Sequence, residues 1–214
     1  MTITVDGRRA RGDASRRAIL EQATQLASVE GLDGVTIGAL ATATGRGKSS
    51  IATLFGDKVH LQLATIDAAA EVYRQVVIEP ARALPRGARR IATLLRASLD
   101  YSRDRVFAGG CFFMAVMADL DSKPGPAADA VRAWMRAWTG YVESQLRFAV
   151  GAGELDAGTD TEQLGFELLA LNETANSRSL LFGDDRPYER AASAIRDRLV
   201  AAGADPAALT PLTP

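Results

Sequence analysis

The chain is 214 residues long, 47% hydrophobic and 24% charged, with 25 Lys and Arg against 26 Asp and Glu. That length suits one large domain or two small ones, and the balanced charge excludes a disordered acidic or basic tail. One cysteine and one histidine exclude a disulfide framework and a Cys/His zinc site, and a net charge of −1 speaks, taken alone, against a nucleic-acid partner.

The N-terminal MTITVDGRRARGDASRR lacks the apolar core of a signal peptide. The longest apolar stretch, residues 111–118, falls far short of the ~20 residues that span a bilayer. A cytoplasmic protein with no membrane partner is therefore expected. The excess of Arg over Lys, with abundant Ala, fits a GC-rich bacterial genome.

In chain order, the cluster Arg8, Arg9, Arg11, Arg16 and Arg17 reads either as an arm reaching DNA phosphate or as a solvated tail. Ile19, Ala23, Leu26 and Ala27 recur on one helix face, and Gly31 supplies the stop. Val59, Leu63, Ile66, Ala70, Tyr73 and Val77 predict a long helix, capped by Asp57 and ended before Pro80. Ile91, Leu94, Leu95, Ser98 and Leu99 predict another, punctuated by Gly109-Gly110. The breaker Lys123-Pro124-Gly125-Pro126 opens a helix striped by Val131, Trp134, Met135, Trp138 and Val142. Leu164, Leu168, Leu171 and Ala175 predict the next, ending near Gly183. Tyr188, Ala191, Ile195 and Leu199 predict the last, with Pro187 in its first turn. No pair of alternating strands joined by a hairpin turn is visible. The predicted fold is all-α, with about nine helices: a small N-terminal unit and a larger helical one.

The chemistry-bearing stretch is residues 36–55. A short helix carrying Ile37, Leu40 and Ala41 is capped by Thr36, turns at Gly45, and is followed by a second that points Ile51, Leu54 and Phe55 inward. Two short helices around a tight glycine turn form a helix-turn-helix, whose second helix fits the major groove. Its outward residues are Arg46, Gly47, Lys48, Ser49, Ser50 and Thr53. Arg and Lys pair with phosphate or guanine, and small hydroxyls reach either. Gly47-Lys48-Ser49 also imitates the end of a phosphate-binding loop, with residues 112–119 as an accompanying strand and acid. That loop needs a glycine where Thr42 stands, and a strand before it, so a nucleotide hydrolase is the minor reading.

Residues 16–66 resemble the DNA-binding domain of TetR-family transcriptional regulators. The likeness runs from Arg17-Ala18-Ile19-Leu20 through Glu30-Gly31-Leu32, Val35-Thr36-Ile37, Leu40-Ala41 and Gly45. It continues into Lys48-Ser49-Ser50-Ile51 and closes on Leu54-Phe55-Gly56-Asp57-Lys58. Two positions depart from the pattern. Ala52, Thr53 and Leu54 stand where the family has an aromatic or His pair touching the DNA backbone, and Arg46 replaces a small apolar residue after the turn glycine. Arg46 is expected to replace the missing backbone contact. The resemblance implies a helix-turn-helix domain over 13–58 and a ligand-binding and dimerisation domain over 59–203, after a flexible basic arm over 1–12, while the Ala, Pro and Thr beyond Gly203 predict a flexible tail over 204–214. It also makes Lys58 a phosphate contact, while Thr36 serves as a cap that can reach phosphate.

The larger unit is rich in pocket-forming side chains: Tyr73, Tyr101, Phe107, Phe112, Phe113, Met117, Trp134, Trp138 and Tyr141, with Asn172 on the penultimate helix. These would line a cavity for a small, mostly apolar effector, or simply fill a core. In the family the last two helices pack as a dimer interface, which Leu164, Leu168, Leu171, Ala175, Ile195 and Leu199 would supply. No nucleophile-base pair, carboxylate pair, metal cluster or cofactor motif stands out. Cys111 in its apolar run reads as buried and inert. The expected protein is thus a homodimeric regulator, a repressor, that binds a palindromic operator as DNA duplex and is released by the effector. The alternative is an all-α small-molecule-binding protein or enzyme with no DNA role. By segment, residues 61–214 hold 17 basic against 20 acidic side chains, so the near-neutral total conceals a basic N-terminal end.

Overall fold

Glycine, proline and short polar caps set the helix ends in this chain. The computed structural model describes the backbone over residues 3–213 and the side chains over residues 10–213. Helix α1 (Ile3–Gly34) is broken at Gly31, which adopts φ 72° where glycine alone escapes a Cβ clash. Residues 3–12 of the stretch expected as a flexible arm lie within this helix. The side chains of Arg8 and Arg9 lie outside the described residues.

Helix α2 (Ile37–Thr44) opens where Thr36 Oγ1 accepts the Ala39 N–H at 3.0 Å, and closes on Gly45 at φ 66°. After Gly45-Arg46-Gly47 comes α3 (Lys48–Phe55), then α4 (Lys58–Tyr73), where Asp57 Oδ1 accepts the His60 N–H at 2.9 Å. The helix expected to stop before Pro80 instead loosens into a π turn (Arg74–Ile78) and continues as α5 (Glu79–Arg82). A wider turn ahead of a proline relieves the clash of its ring with the preceding turn, and Pro80 then sits where no N–H is needed. The remaining helices are α6 (Ala88–Arg103), α7 (Phe112–Leu120), α8 (Pro126–Gly151), α9 (Thr161–Phe182) and α10 (Arg186–Ala201). Among the described residues there is no sheet, only an isolated bridge between Phe107 and Gly110.

The tail is a second correction. Pro206–Leu212 forms a 3-10 helix, opened by Asp205 Oδ1 accepting from Ala207 N at 2.9 Å. It packs against α6 and α10 with Leu209 and Leu212 fully buried. Burying two leucines contributes about 3–6 kcal/mol, enough to order a short polar-capped segment.

The chain divides into two compact units, residues 1–71 with 107–132 and residues 72–106 with 133–214. This differs from a single cut after residue 58, because the chain crosses three times. The first unit is built on Ile19, Ala23 and Ala27 of α1, with Leu40, Ile51 and Phe55 of the two short helices, all buried. α7 packs against α1 within the same unit. The loop before α7 is pinned there: Ala108 N donates to Gln25 Oε1 at 2.9 Å and Gly109 N to Ser28 Oγ at 3.0 Å. A Cβ on Gly109 would stand 1.7 Å from the Ser28 carbonyl oxygen. Two side chains close the exposed ends of this unit. Arg16 Nη1 donates to Leu54 O at 3.1 Å, with its guanidinium 4.5 Å from the Phe55 ring centroid. Gln62 Nε2, buried, donates to Leu32 O at 2.9 Å beyond the Gly31 break. The first satisfies a carbonyl that a helix end leaves open, and the second adds to the Val35 N–H that already reaches Leu32 O at 3.2 Å.

In the second unit α6 starts against Glu154, whose Oε2 accepts the Ala88 N–H at 2.7 Å. At its far end Arg105 takes φ 52°, unusual for a side chain with a Cβ. A polar knot holds it there: Nη2 donates to Ser179 Oγ at 3.0 Å and Nη1 to the Ser102 carbonyl at 3.2 Å. Ser179 in turn donates to Asp185 at 3.1 Å, so α6, α9 and α10 are tied by one network.

Gly109→Ala should cost about 3 kcal/mol or more in urea denaturation, since backbone cannot retreat as a side chain can. Gly140→Ala, with nothing within 4 Å of the new Cβ inside α8, should stabilise by about 0.5–1 kcal/mol. Arg16→Ala should lower stability by about 1–2 kcal/mol by removing both the carbonyl partner and the ring contact, and Arg16→Lys should restore little of it.

Candidate nucleic-acid interface

Within the first unit, Ile51 and Phe55 turn inward and fix the rotation of α3. The opposite face is therefore presented outward. Thr36, Arg46, Gly47, Lys48, Ser49, Ser50, Thr53 and Lys58, the residues expected to meet DNA, are all exposed. Leu54, expected to face inward, is half-buried. Gly47 provides no side-chain cap, so the first N–H groups of α3 remain open to solvent beside Lys48 and the two serines. Open N–H groups, the positive end of the helix and a neighbouring cation are together suited to an anionic oxygen. Thr53 turns its hydroxyl back onto the Ser49 carbonyl at 2.8 Å. The strand that a phosphate-binding loop requires is missing here, since Ile37–Thr44 and Phe112–Leu120 are both helices.

The basic residues divide into structural and available ones. Arg16, grouped by sequence with the arm, is committed to Leu54 and Phe55. Arg46 Nη1 reaches Ser15 Oγ at 3.2 Å on α1 while remaining exposed. Lys58 Nζ lies 3.3 Å from Asp33 Oδ1, and the same carboxylate binds Lys123 Nζ at 2.9 Å, which also holds Asp119 at 2.7 Å. The two lysines, Lys123 foremost, hold the Asp33 carboxyl below the usual carboxylate range. Each pair is about half exposed and screened by water, so that a phosphate can displace it. His60 Nδ1 sits 2.9 Å from Asp57 Oδ1, a helix-start contact with no catalytic partner. Asp33 and Gln62 were not marked by any local sequence pattern, and Asp119 was read only as the acid of the minor nucleotide-binding alternative.

The ten residues expected around an effector fall into two sets. Phe107, Phe112, Phe113 and Met117 belong to the first unit, where Phe112 packs on Phe107 at 5.8 Å and on Phe113 at 5.2 Å between centroids. Tyr73, Tyr101, Trp134, Trp138, Tyr141 and Asn172 belong to the second. There Tyr73 meets Tyr101 edge-on at 5.0 Å, and Trp134 and Trp138 edge-on at 5.1 Å each. Cys111 is buried.

The expected dimer residues need correcting. Leu164, Leu168, Ala175, Ile195 and Leu199 are buried within the second unit. The largest apolar residues on α9 and α10 face the core of their own chain. The apolar surface left open is the adjoining stripe: Phe166, Ala170, Leu171 and Thr174 of α9 opposite Pro187 and Ala194 of α10, with the buried Ala191 at its floor. Of the expected six, Leu171 and Ala175 reach this groove. Phe166, Leu181 and Phe182 stand 68%, 76% and 66% exposed. Arg178, Arg190 and Arg198 border it, and Arg198 Nε binds Glu167 at 2.6 Å. Among the described residues no helix is long and apolar enough to cross a membrane, and no group of three metal-ligating side chains occurs.

No curated protein sequence matches the chain significantly. Several solved structures share its fold. A TetR-family transcriptional regulator from Cytophaga hutchinsonii superposes with a TM-score of 0.78 at 18% identity, covering 91% of this chain and 98% of that one. A TetR regulator from Chloroflexus aurantiacus does so with a TM-score of 0.78 at 24% identity, covering 87% and 94%. AibR, solved in complex with isovaleryl coenzyme A and operator DNA, gives a TM-score of 0.63 at 16% identity, covering 76% and 85%. Residues 87–195, just over half of the chain, match the family described as tetracyclin repressor-like, C-terminal domain. With an all-α fold and a helix-turn-helix ahead of that domain, the chain belongs to the TetR family of transcriptional regulators.

Proposed function

We propose that the chain is a homodimeric repressor that reads a palindromic operator through α3 and lets go when a small, mostly apolar molecule binds its larger helical unit. The observation that carries this reading is the outward face of α3. Lys48, Ser49 and Ser50 are exposed at an uncapped helix start, on a helix locked in rotation by Ile51 and Phe55. AibR, a relative in fold, has been captured on operator DNA, which supports DNA as the partner here. Two copies related by two-fold symmetry would place their α3 helices about one turn of DNA apart, roughly 34–36 Å. Helix α1 and the turn before α3, with Arg11, Arg17 and Arg46 exposed, supply the phosphate contacts that the replaced aromatic pair cannot make. DNA reading sets the location as the cytoplasm.

The second copy is the proposed occupant of the α9–α10 groove. Three exposed large apolar side chains and a stripe of alanines would otherwise face water, and matching helices from a partner remove them from it. The effector acts only through a difference in affinity between the DNA-fitting and DNA-rejecting arrangements of the dimer. No residue set suited to turnover accompanies these features, and the proposed activity is binding alone.

The DNA upstream of the chain's own gene is the first ligand to titrate, by fluorescence anisotropy at two salt concentrations. Saturable, sequence-preferring binding that Lys48→Glu abolishes is expected; unchanged binding by that variant overturns the reading. Lys58→Ala should weaken binding several-fold and flatten the salt dependence by about one counterion. Asp33→Asn should do the reverse, because Lys58 then has no carboxylate to leave. For the dimer, Leu171→Glu and Ala194→Glu should each yield monomers in light scattering and lose operator binding, with helical content retained.

A further inference from the structure

One carboxylate in the first unit serves two lysines, and it serves them unequally. Asp33 Oδ2 accepts from Lys123 Nζ at 2.9 Å, whereas Lys58 Nζ reaches Asp33 Oδ1 only at 3.3 Å and the Asp33 carbonyl at 3.5 Å. An N–H···O contact longer than about 3.2 Å lies outside the usual range. Lys123 is the nearer cation, and it holds the Asp33 carboxyl below its ordinary range more strongly than Lys58 does.

Lys123 is fixed from three sides. Its N–H donates to the Leu120 carbonyl at 3.1 Å, closing the turn after α7, and its carbonyl accepts from Arg132 Nη2 at 2.9 Å. Its ammonium also donates to Asp119 Oδ1 at 2.7 Å. Asp119 has little room to swing, because its Oδ2 is buried and lies where a Cβ on Gly31 would meet it at 2.7 Å. Lys58 is braced far less. It opens α4 half exposed, and among the described residues both contacts of its ammonium go to Asp33. A fixed cation on a shared carboxylate weakens the hold of that carboxylate on a second cation. It also screens the negative charge that an approaching phosphate would meet.

We infer that Lys123 is a positioning residue for the phosphate contact: by occupying Asp33 from the α7 side, it leaves Lys58 loosely held and ready to pass to a DNA phosphate. The inference rests on the reading of the first unit as a DNA-binding head. It adds to that head a residue from its second, discontinuous segment, residues 107–132.

The test follows the anisotropy of two labelled duplexes, the DNA upstream of the chain's own gene and a mixed-sequence duplex of equal length. The full chain is used at near-physiological salt, where distant charges are screened. Lys123→Met should weaken binding about three- to ten-fold in the native chain but less than about two-fold in an Asp33→Asn background, where no carboxylate is left to mask. Lys123→Arg should keep the native affinity, and Asp119→Asn should bind no more weakly than the native chain. Carboxyl carbon NMR reads the same arrangement without DNA: the Asp33 midpoint should rise more in Lys123→Met than in Lys58→Met. Equal losses in both backgrounds, with the salt dependence flattened by about one counterion, would make Lys123 itself a phosphate contact and overturn the inference. A loss in Asp119→Asn equal to that in Lys123→Met also overturns it, because the cluster would then be a plain tie between α7 and α1. So does an Asp33 midpoint that Lys123→Met leaves in place. Equal affinity for the two duplexes, with the expected pattern of losses, supports the inference and overturns only the sequence-specific reading. A native chain that binds neither duplex overturns the DNA reading and the inference with it.

Discussion

The backbone of Gly109 lies so close to the Ser28 carbonyl that no side chain of any size fits between them. Two hydrogen bonds from the same loop, to Gln25 and Ser28, fix its register. Everything after it in the first unit depends on that approach, because it sets where α7 begins along α1. Phe112, Phe113 and Val116 are buried once α7 is seated, and they complete a core that α1, α2 and α3 are too short to close alone. The rotation of α3, and so the direction in which Lys48 and Ser50 point, is the last link in this chain of packing.

Electrostatics is arranged around the same helices with a light hand. The carboxylate of Asp33 stands between Lys58 and Lys123, and both pairs lie half in water. Such pairs hold a side chain in place without holding it tightly. Lys58 is kept extended beside the end of α1 and remains available to a stronger anion. Arg16 is the opposite case. Its guanidinium satisfies a helix-end carbonyl and covers an aromatic ring, so its charge maintains the fold and is not available for recognition.

Local patterns made the helix-turn-helix legible. Thr36 before an apolar turn, Gly45 after one and Gly31 at the end of a striped helix each carry their meaning within a few residues, and each does in the structure what its type requires. What depended on contacts far apart in sequence was hidden. Arg16 looks like any member of a basic run, and its partner is Leu54. The residues proposed to meet a second copy differ from those expected because α9 and α10 carry two apolar faces. Periodicity favours the one with the larger residues, Leu168 and Ile195, which the chain needs for its own core. The second face is written in Phe166, Ala170 and Ala194, too mixed in size to stand out. The tail misled for a similar reason: its composition of Ala, Pro and Thr outweighs Leu209 and Leu212, three residues apart and both buried. The site aromatics were visible as a set, but not their division between the two units.

The discontinuity of the first unit bears on how such a protein is rearranged. A fragment ending at residue 58 carries every side chain expected to touch DNA, yet it leaves behind α7 and the loop that is seated on α1. Grafted onto another body, it would expose the apolar flank of α1 and lose the tie at Gln25 and Ser28. The transferable piece is residues 1–71 together with 107–132, which are separated in sequence but form one compact unit. Recombination that respects sequence order would break this block, whereas exchange of single residues on the outer face of α3 leaves it whole. With α3 reading DNA as proposed, a new sequence preference is therefore more accessible by point change at the surface than by swapping segments.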